Sequence, residues 1–309
     1  MRLRVVVTGG SGFLGRHVVS ELITRGHDVR VMDLVPPPNY EGTAAKPEFV
    51  SGDVTCPRSL GRAFKNMDVV CHLAGVTDNY NAARSPENAV RLNALGTAHV
   101  AEGALSQQVR RVVFASTWQV YAGSVSGAVD ERSECAPQHP YSITKYAAER
   151  LLQAYSDMRG LSTMSLRLGT AFGLGMQPYT VLSTFIRLAR LSEPIAIHGN
   201  GDQPRQFTHA ADIARAFCAA VESDVSGQVV NVASSEIISI REVAELISRY
   251  IPTTIVHQPS RPGEGKPTII NSDLAGQLLG WRPQITLHEG LQELISADSA
   301  KGTASSNTK

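Results

Sequence analysis

A glycine-rich turn near the N-terminus constrains the fold of this chain more than any other sequence feature. The run VVVTGGSGFLG places Gly9, Gly12 and Gly15 directly after an apolar β-branched run and at the start of a helical pattern. In a strand–turn–helix unit, the first glycine permits the tight turn and the second lets the backbone approach a bound group. The third allows the helix to pack closely on the sheet. The spacing therefore predicts the first unit of a doubly wound sheet.

The rest of the first half continues this alternation, which is typical of a parallel sheet flanked by helices. Strands are predicted over residues 4–8, 28–33, 48–51, 68–73, 111–116 and 162–167, and helices over 12–24, 87–104 and 141–158. After Leu168, Gly, Pro and Gln punctuate the chain, and helices over 181–191 and 209–221 alternate with short strands.

The predicted fold class is therefore α/β, with a doubly wound parallel (Rossmann) sheet. We expect a nucleotide-binding domain over residues 1–168 and a smaller C-terminal α/β substrate domain over 169–300. Some segments of the second domain are expected to return to the first. The polar end, residues 301–309, is predicted to be a flexible tail.

The composition excludes several classes of partner. Of the 309 residues, 29 are Lys or Arg and 28 are Asp or Glu, and no basic run stands out, which argues against nucleic acid as the main partner. No stretch of about 20 apolar residues is present, so we expect no membrane span. The opening MRLRVVVTGG has no signal-peptide block, and we expect a cytoplasmic protein.

The cysteines and histidines do not predict a metal site. The four cysteines are 15, 64 and 83 positions apart, which matches no zinc spacing. No two of the nine histidines have metal-ligand spacing with carboxylates nearby. His72 and His209 are interpreted as structural or cofactor-adjacent residues.

An acidic residue at the end of the second predicted strand indicates the cofactor. Asp33 follows Gly15 by 18 positions, where its carboxylate can accept hydrogen bonds from adenosine ribose hydroxyls and would repel a 2′-phosphate. A pyrophosphate would bind at the helix N-terminus beside Gly12. We therefore expect NAD rather than NADP. The predicted contacts here are Gly9, Gly12, Phe13, Leu14, Gly15, Asp33 and Leu34.

A tyrosine and a lysine four positions apart are the catalytic candidates. In the segment PYSITKYAAER, Tyr141 and Lys145 would share one helix face about 5–6 Å apart. A tyrosine base must lose about 3 pKa units, which a neighbouring ammonium group and an oxidised nicotinamide could supply. Thr117, at the end of the fifth predicted strand, could hydrogen-bond the reacting oxygen. A surface Tyr–Lys pair and a strand-capping threonine are the alternatives.

Taken together, these motifs resemble the extended short-chain dehydrogenase/reductase family, in its NAD-dependent epimerase/dehydratase group. The resemblance covers about residues 3 to 295 and is nearest to nucleotide-sugar 4-epimerases. Its motifs are TGGSGFLG, HLAG at His72, LNALGT around Asn93, STWQVY, YSITK, GDQPRQFTHAADIARA, RPGE and LGWRP.

The resemblance also implies further binding residues. Asp53 and Val54 would lie along the adenine, Leu73, Ala74 and Gly75 would pass the pyrophosphate and ribose, and Asn93 would support the nicotinamide half, as would Tyr141 and Lys145. Arg205 and Arg261 match positions where relatives grip a nucleotide diphosphate, with surface salt bridges as the alternative. Thr117, Trp118, Tyr141 and Thr170 complete the implied substrate site.

Three positions depart from the family pattern. Gln119 stands where relatives that dehydrate or decarboxylate carry an acid, so a 4,6-dehydratase is disfavoured. Thr170 replaces a frequent asparagine, and Trp118 is bulkier than the small residue usual in epimerases. An ordinary nucleotide-hexose fit is therefore in question.

The leading hypothesis is a nucleotide-sugar 4-epimerase of the UDP-glucose/galactose type. Tyr141 would remove the C4 hydroxyl proton, hydride would pass to NAD, and the keto sugar would turn before hydride returns. A rival is an NAD(P)-dependent oxidoreductase that reduces a keto sugar or oxidises another secondary alcohol, and it would consume or release NADH. A third is a catalytically silent NAD-binding regulatory protein, which an intact Thr117, Tyr141 and Lys145 set disfavours.

The resemblance further implies a homodimer. It would form through the predicted helices over 87–104 and 141–158, whose apolar positions include Val90, Leu95, Ala98, Leu151 and Leu152. The alternative is that these side chains face the sheet.

Overall fold

The chain alternates strands and helices from its first residues. The computed structural model describes residues 1–37, 46–121, 127–259 and 268–304, with side chains up to residue 297. The strands are β1 (Arg4–Thr8), β2 (Asp28–Asp33), β3 (Glu48–Ser51), β4 (Val69–His72), β5 (Arg111–Thr117), β6 (Gly127–Val129), β7 (Ser162–Leu168), β8 (Thr170–Phe172), β9 (Ile195–His198), β10 (Pro204–Arg205), β11 (Phe207–His209), β12 (Gln228–Val232), β13 (Ile238–Ser239), β14 (Ile255–Gln258) and β15 (Thr268–Ile270).

The helices cover both faces of the main sheet and fill the second lobe. They are α1 (Phe13–Thr24), α2 (Pro57–Phe64), α3 (Asn79–Arg84), α4 (Pro86–Ala89), α5 (Gly96–Ser106), α6 (Pro140–Arg159), α7 (Val181–Arg190), α8 (Ala210–Glu222), α9 (Ile240–Tyr250), α10 (Asp273–Leu279) and α11 (Leu287–Ala304). A π-helical turn, Val90–Leu95, joins α4 to α5, and a 3₁₀ turn, Trp118–Tyr121, follows β5. None of the helices in the described ranges is both long and apolar enough to cross a membrane.

Seven strands form one sheet in the order β3-β2-β1-β4-β5-β7-β12, and every neighbouring pair is parallel. The order reverses between β1 and β4, which places a crevice at the carboxyl ends of these strands. Ligands of doubly wound sheets bind at such a crevice. The predicted α/β fold with a doubly wound parallel sheet is confirmed.

The side chains of β1 show why the sheet is buried on both faces. Val5 and Val7 pack in the same cluster as Leu22 of α1, whereas Val6 packs with Phe64 of α2 on the other face. Successive strand residues point to opposite faces, so an unbroken apolar run is what a strand covered on both sides requires.

The second lobe has its own apolar core. Paired strands β8–β11, β9–β14 and β10–β13 pack with α7, α9 and α11 around a cluster that contains Phe172, Phe185, Ile197 and Leu291. The chain then returns to the first lobe, because α8 packs on α1 and β12 is the outermost strand of the main sheet.

Some boundaries differ from the sequence predictions. The first three strands match, whereas β4 is shorter and β5 and β7 each extend one residue further. The helix predicted over 87–104 is three pieces instead, because Pro86 starts α4 and the π-helical turn interrupts the α-helix. The last helix runs to Ala304, four residues into the segment predicted as a tail.

Candidate active site

The glycine turn lies against the loop that follows β4. Gly9 has φ +73°, and a Cβ there would lie 2.7 Å from the backbone nitrogen of Ala74. A Cβ on Gly15 would clash with the carbonyl oxygen of Gly9, so α1 approaches the turn as closely as the motif predicts. Gly12 is the N-cap residue of α1 and supplies no side-chain cap. The first N–H groups of this 12-residue helix therefore have no side-chain cap, and such groups fit a pyrophosphate.

Asp33 stands at the same end of the sheet. Its Oδ2 accepts a hydrogen bond from the backbone N–H of Ser11 at 3.0 Å, and its Oδ1 accepts one from Leu34 at 2.7 Å. The carboxylate is therefore fixed beside the glycine turn, where a ribose would lie. Phe13 and Leu14 open α1, and Leu34 is exposed after β2.

The turn after β3 lies beside Asp33. The backbone N–H of Gly52 donates to the carbonyl of Asp33 at 3.0 Å, which places Asp53 and Val54 next to the end of β2. Asp53 Oδ1 accepts from the backbone N–H and the hydroxyl of Thr55, both at 2.8 Å. This arrangement fits the predicted adenine end of a dinucleotide.

Asn93 joins the π-helical turn to the loop that carries Leu73, Ala74 and Gly75. Its Oδ1 accepts from the Val76 N–H at 2.8 Å, and its Nδ2 donates to the Val76 carbonyl at 3.1 Å and to the Thr144 hydroxyl at 2.9 Å. Gly75 has φ +154°, and a Cβ there would clash with Asn93 Oδ1. The asparagine thus fixes the loop rather than facing solvent.

The three catalytic candidates meet at the carboxyl edge of the sheet. Thr117 ends β5, and Tyr141 and Lys145 lie on the first turns of α6, all three being buried. Pro140 occupies the first turn of this helix, where a missing N–H costs nothing. Thr117 accepts a hydrogen bond from the Gln119 N–H at 3.3 Å. Its hydroxyl also hydrogen-bonds the Tyr141 phenol.

Burial dominates the charge state of the Tyr–Lys pair. It raises the pKa of Tyr141 to about 12, and the Thr117 hydrogen bond opposes this rise. It lowers the pKa of Lys145 to about 7, and the negative charge of Glu149 opposes this fall. In the protein alone, desolvation therefore favours the neutral form of both groups.

A polar cluster lies next to these residues around Glu149, a residue that the sequence analysis did not single out. Glu149 and Arg167 form a buried ion pair, with Arg167 Nη2 2.6 Å from Glu149 Oε1. The Ser116 hydroxyl donates to Glu149 Oε2 at 2.5 Å. Glu149 follows Lys145 by four positions, a spacing visible in the sequence, but Arg167 and Ser116 reach it from separate strands.

The predicted substrate residues occupy two lobes. Trp118 is half-buried and packs against the cluster containing Val120 and Tyr121. Thr170 lies on β8, opposite Phe207 in the register of β8 and β11. Arg205, on β10, donates to the carbonyl of Pro204 at 2.9 Å. Arg261 lies outside the described residues.

An open cleft lies between the two lobes. It has a volume of about 510 Å³ and is lined on one side by Gly75 and Asp78 and on the other by Gln177 and Tyr179. The Tyr179 hydroxyl donates to Asp78 Oδ2 at 3.2 Å, which connects the lobes. Cavities of this size suit small-molecule ligands.

The two histidines mentioned above have structural contacts. His72 is fully buried between the hydroxyls of Thr8, 2.8 Å away, and Thr97, 3.0 Å away. Burial lowers the pKa of His72 to about 3, so the ring is neutral. His209 caps α8 and lies 3.0 Å from Glu293. Within the described ranges, no group of three or more His, Cys, Asp or Glu could hold a metal ion.

Comparisons with known proteins show which family this chain is similar to. Residues 5–233 match the model of the NAD dependent epimerase/dehydratase family. A protein of Methanocaldococcus jannaschii named "Putative UDP-glucose 4-epimerase" is 30% identical over 304 residues, which cover 94% of this chain and 97% of that protein. The dTDP-D-glucose 4,6-dehydratase of Mus musculus is 27% identical over 312 residues, which cover 94% of this chain and 87% of that enzyme.

A solved structure agrees over the whole fold. MoeE5 in complex with UDP-glucose and NAD has a TM-score of 0.88 and 31% identity, with 96% of this chain and 99% of that chain covered. The resemblance inferred from the motifs is thereby confirmed, and the chain belongs to the NAD-dependent epimerase/dehydratase family of nucleotide-sugar enzymes, within the extended short-chain dehydrogenases/reductases.

Proposed function

We propose that this protein is an NAD-dependent nucleotide-sugar 4-epimerase of the UDP-glucose/galactose type. One observation carries the proposal: Thr117, Tyr141 and Lys145 meet at the sheet's crevice, and an amide, Gln119, stands beside them instead of a carboxylic acid. This set can move one proton reversibly, but it has no acid to expel a hydroxyl group.

The glycine turn, Asp33 and the Asn93-fixed loop would hold the cofactor along the carboxyl ends of β1, β2 and β4. The uncapped α1 fits its pyrophosphate, and the Asp33 carboxylate fits a ribose diol and repels a 2′-phosphate. When bound, NAD supplies a reversible hydride acceptor for C4 and a positive charge beside the phenol.

Tyr141 is the proposed base and, in the return step, the acid. Its phenolate oxygen takes the proton of the C4 hydroxyl and gives it back after the sugar has turned. Thr117 assists because its hydroxyl accepts the Gln119 N–H and keeps its own proton for the phenolate oxygen. Lys145, as the ammonium ion, favours the phenolate by its charge.

Gln119 is the residue that favours epimerisation over dehydration in this proposal. Its side-chain Oε1 accepts a hydrogen bond from Asn79 Nδ2 at 2.9 Å, so the amide is held in place. An amide carries no proton acidic enough to protonate a leaving hydroxyl near neutral pH. A role like that of the mouse dehydratase is therefore disfavoured despite the sequence identity.

The substrate contacts remain predictions. We propose that Arg205 and Arg261 grip the nucleotide diphosphate, since a guanidinium group pairs with two phosphate oxygens. Trp118 and Thr170 would contact the sugar or the adjoining phosphate. Trp118 is half-buried and packs against the cluster that contains Val120 and Tyr121.

The test is a substrate screen by ¹H NMR. Uridine-, deoxythymidine-, guanosine- and cytidine-linked sugars are each incubated with the NAD-saturated protein, and C4 inversion is followed together with NADH absorbance. We expect inversion of a uridine-linked sugar without net NADH formation. Net formation or consumption of NADH would favour the oxidoreductase instead, and loss of water from the sugar would contradict the role given to Gln119.

A further inference from the structure

A buried ion pair lies one helical turn beyond Lys145. Tyr141, Lys145 and Glu149 follow one another at four-residue intervals on α6, so they share one helix face. Resting on the proposed function, we propose that the Glu149–Arg167 pair is a positioning unit that favours the ammonium form of Lys145 and holds Thr117 in register with α6.

The geometry of the pair is that of a fixed unit. Both side chains are buried, at 3% exposure for Glu149 and 4% for Arg167. Arg167 Nη2 lies 2.6 Å from Glu149 Oε1, and Arg167 Nε lies 3.1 Å from Oε2. Such a two-pronged contact fixes orientation as well as distance.

The pair also clamps the turn that carries Thr117. On its N-terminal side, Ser116 donates to Glu149 Oε2 at 2.5 Å. On its C-terminal side, the Tyr121 hydroxyl accepts from Arg167 Nη1 at 2.6 Å, and the guanidinium lies 4.8 Å from the centre of the Tyr121 ring. The segment from Ser116 to Tyr121 is therefore tied at both ends to the helix that carries Tyr141.

The network continues to the edge of the sheet and is fully hydrogen-bonded. The Tyr121 hydroxyl donates to Asn231 Oδ1 at 2.9 Å, and Asn231 Nδ2 donates to the Asn271 carbonyl at 2.9 Å. A satisfied buried network of this kind has a single arrangement, which suits a positioning role.

The charges around Lys145 single out Glu149. His72, on β4, is neutral because burial lowers its pKa to about 3, and Tyr141 is a neutral phenol because burial raises its pKa to about 12. The Phe114 ring of β5 lies 4.2 Å from Lys145 Nζ and carries no charge. The negative charge of Asp78 raises the pKa of Tyr141. Glu149 is the carboxylate whose negative charge favours the Lys145 ammonium ion. The positive charge of its partner Arg167 weakens this effect.

The decisive measurement is the titration of Lys145 itself. The chain has six lysines, at positions 46, 65, 145, 266, 301 and 309, so ¹³Cε-labelled lysine gives few NMR signals. Lys145→Met identifies the signal of interest in the NAD-saturated protein. In Glu149→Gln, the carboxylate is gone and the Arg167 cation is uncompensated, so we expect the Lys145 pKa to fall by about one unit or more.

Two further variants keep the test decisive. Glu149→Gln/Arg167→Met removes both charges, so the Lys145 pKa should fall below that of the wild type, though less than in Glu149→Gln. This fall can be measured even if the single variant does not fold. Ser116→Ala keeps both charges and should leave the Lys145 titration in place. In active preparations, the high-pH limb of kcat/KM should follow the Lys145 pKa, with the KM for the sugar little changed.

A folded Glu149→Gln protein whose Lys145 titrates as in the wild type would overturn the proposal and leave the pair a purely structural role. A double variant that titrates like the wild type would overturn it equally. The titration needs no turnover. Failure of the epimerase assay would therefore contradict the proposed function, and the Lys145 titration would still test the role of the ion pair.

Discussion

At the scale of single residues, desolvation decides the charge state of the proposed catalytic pair in the protein alone. Tyr141 and Lys145 are both buried at the sheet edge, so each is pushed toward its neutral form, with pKa values of about 12 and about 7. A tyrosine in this state is a poor base until a positive charge is placed beside it. The proposed base would therefore act only when the positive charge of the bound cofactor lies beside it.

The first prediction concerns the proposed base. Tyr141→Phe keeps the ring and its packing but removes the proton acceptor, so turnover should fall by about 10²–10⁴-fold while NAD affinity stays near that of the wild type. Turnover is measured by NMR, and NAD affinity by calorimetry. The matched control is Tyr155→Phe, on the same helix, whose hydroxyl bonds Glu102 at the surface. Equal turnover in the two variants would contradict the assignment.

The second prediction concerns cofactor choice. Asp33→Asn removes the negative charge and keeps one amide oxygen, which can accept from the N–H of either Ser11 or Leu34 but not from both. NADP affinity should then rise relative to NAD affinity, and we expect the preference to narrow by about tenfold, or about 1.4 kcal/mol. Titration of both cofactors measures it. Tighter binding of NADP than NAD by the unchanged protein would contradict the role of Asp33.

The residues of the site differ in how well they can be predicted from the sequence. The Tyr141–Lys145 spacing and the glycine turn are local patterns with a known physical meaning, so they could be predicted. Glu149 has the same four-residue spacing, but its partners Ser116 and Arg167 are 33 and 18 positions away and meet it only after the sheet forms. A single sequence contains no signal for such long-range pairs.

At the scale of elements, strands were more predictable than helix interiors. The strands of a sheet covered on both faces are short apolar runs bounded by turn residues, so their ends are marked in the sequence. The π-helical interruption of the helix over 87–104 contains Asn93, whose amide bonds Val76 and Thr144 from other segments. Such a tertiary contact overrides the local helical periodicity, and π-helical turns are frequent at functional sites.

The third prediction concerns the faces of two helical segments. Val90, Leu95 and Ile143 are 53%, 48% and 48% exposed, whereas Leu152, predicted for the same face, is fully buried against the sheet. Leu152 is therefore removed from the predicted dimer contact. The exposed side chains of Val90, Leu95 and Ile143 support the proposed homodimer. Leu95→Glu should shift the mass from dimer to monomer in light scattering at micromolar protein. Leu191→Glu, an exposed leucine of the second lobe, is the control, and a monomeric wild type would exclude the dimer.

At the scale of the whole molecule, the two lobes are joined across the crevice by specific contacts. Arg16 Nη2 donates to the carbonyl of Gly175 at 3.3 Å, and His17 Nε2 lies 3.0 Å from that of Leu174. Both bonds start from α1, the helix at whose N-terminus the cofactor pyrophosphate would bind. The second lobe is thus held against the same helix that follows the glycine turn.

The fourth prediction concerns how the stability of the whole fold depends on pH. His72 has a pKa of about 3 in the folded chain and about 6.5 when unfolded, so the unfolded state binds a proton that the folded state excludes. Its contribution to stability is therefore complete above pH 6.5 and is lost as the pH falls from 6.5 toward 3. The loss is about 1.4 kcal/mol per pH unit, or about 2 kcal/mol at pH 5.

Urea denaturation at pH 7.5 and at pH 5 measures this loss, with His72→Gln as the test variant and His257→Gln, at an exposed position, as the control. His72→Gln lowers stability at pH 7.5, because a glutamine fits the hydroxyls of Thr8 and Thr97 less well than the ring does. It should nevertheless lose about 2 kcal/mol less than the wild type on acidification, since it has no proton to exclude. The carboxylates contribute equally to all three proteins, so they cancel in the comparison. Parallel losses in the wild type and His72→Gln would mean that the folded chain accommodates a protonated His72, contrary to its burial between two hydroxyls.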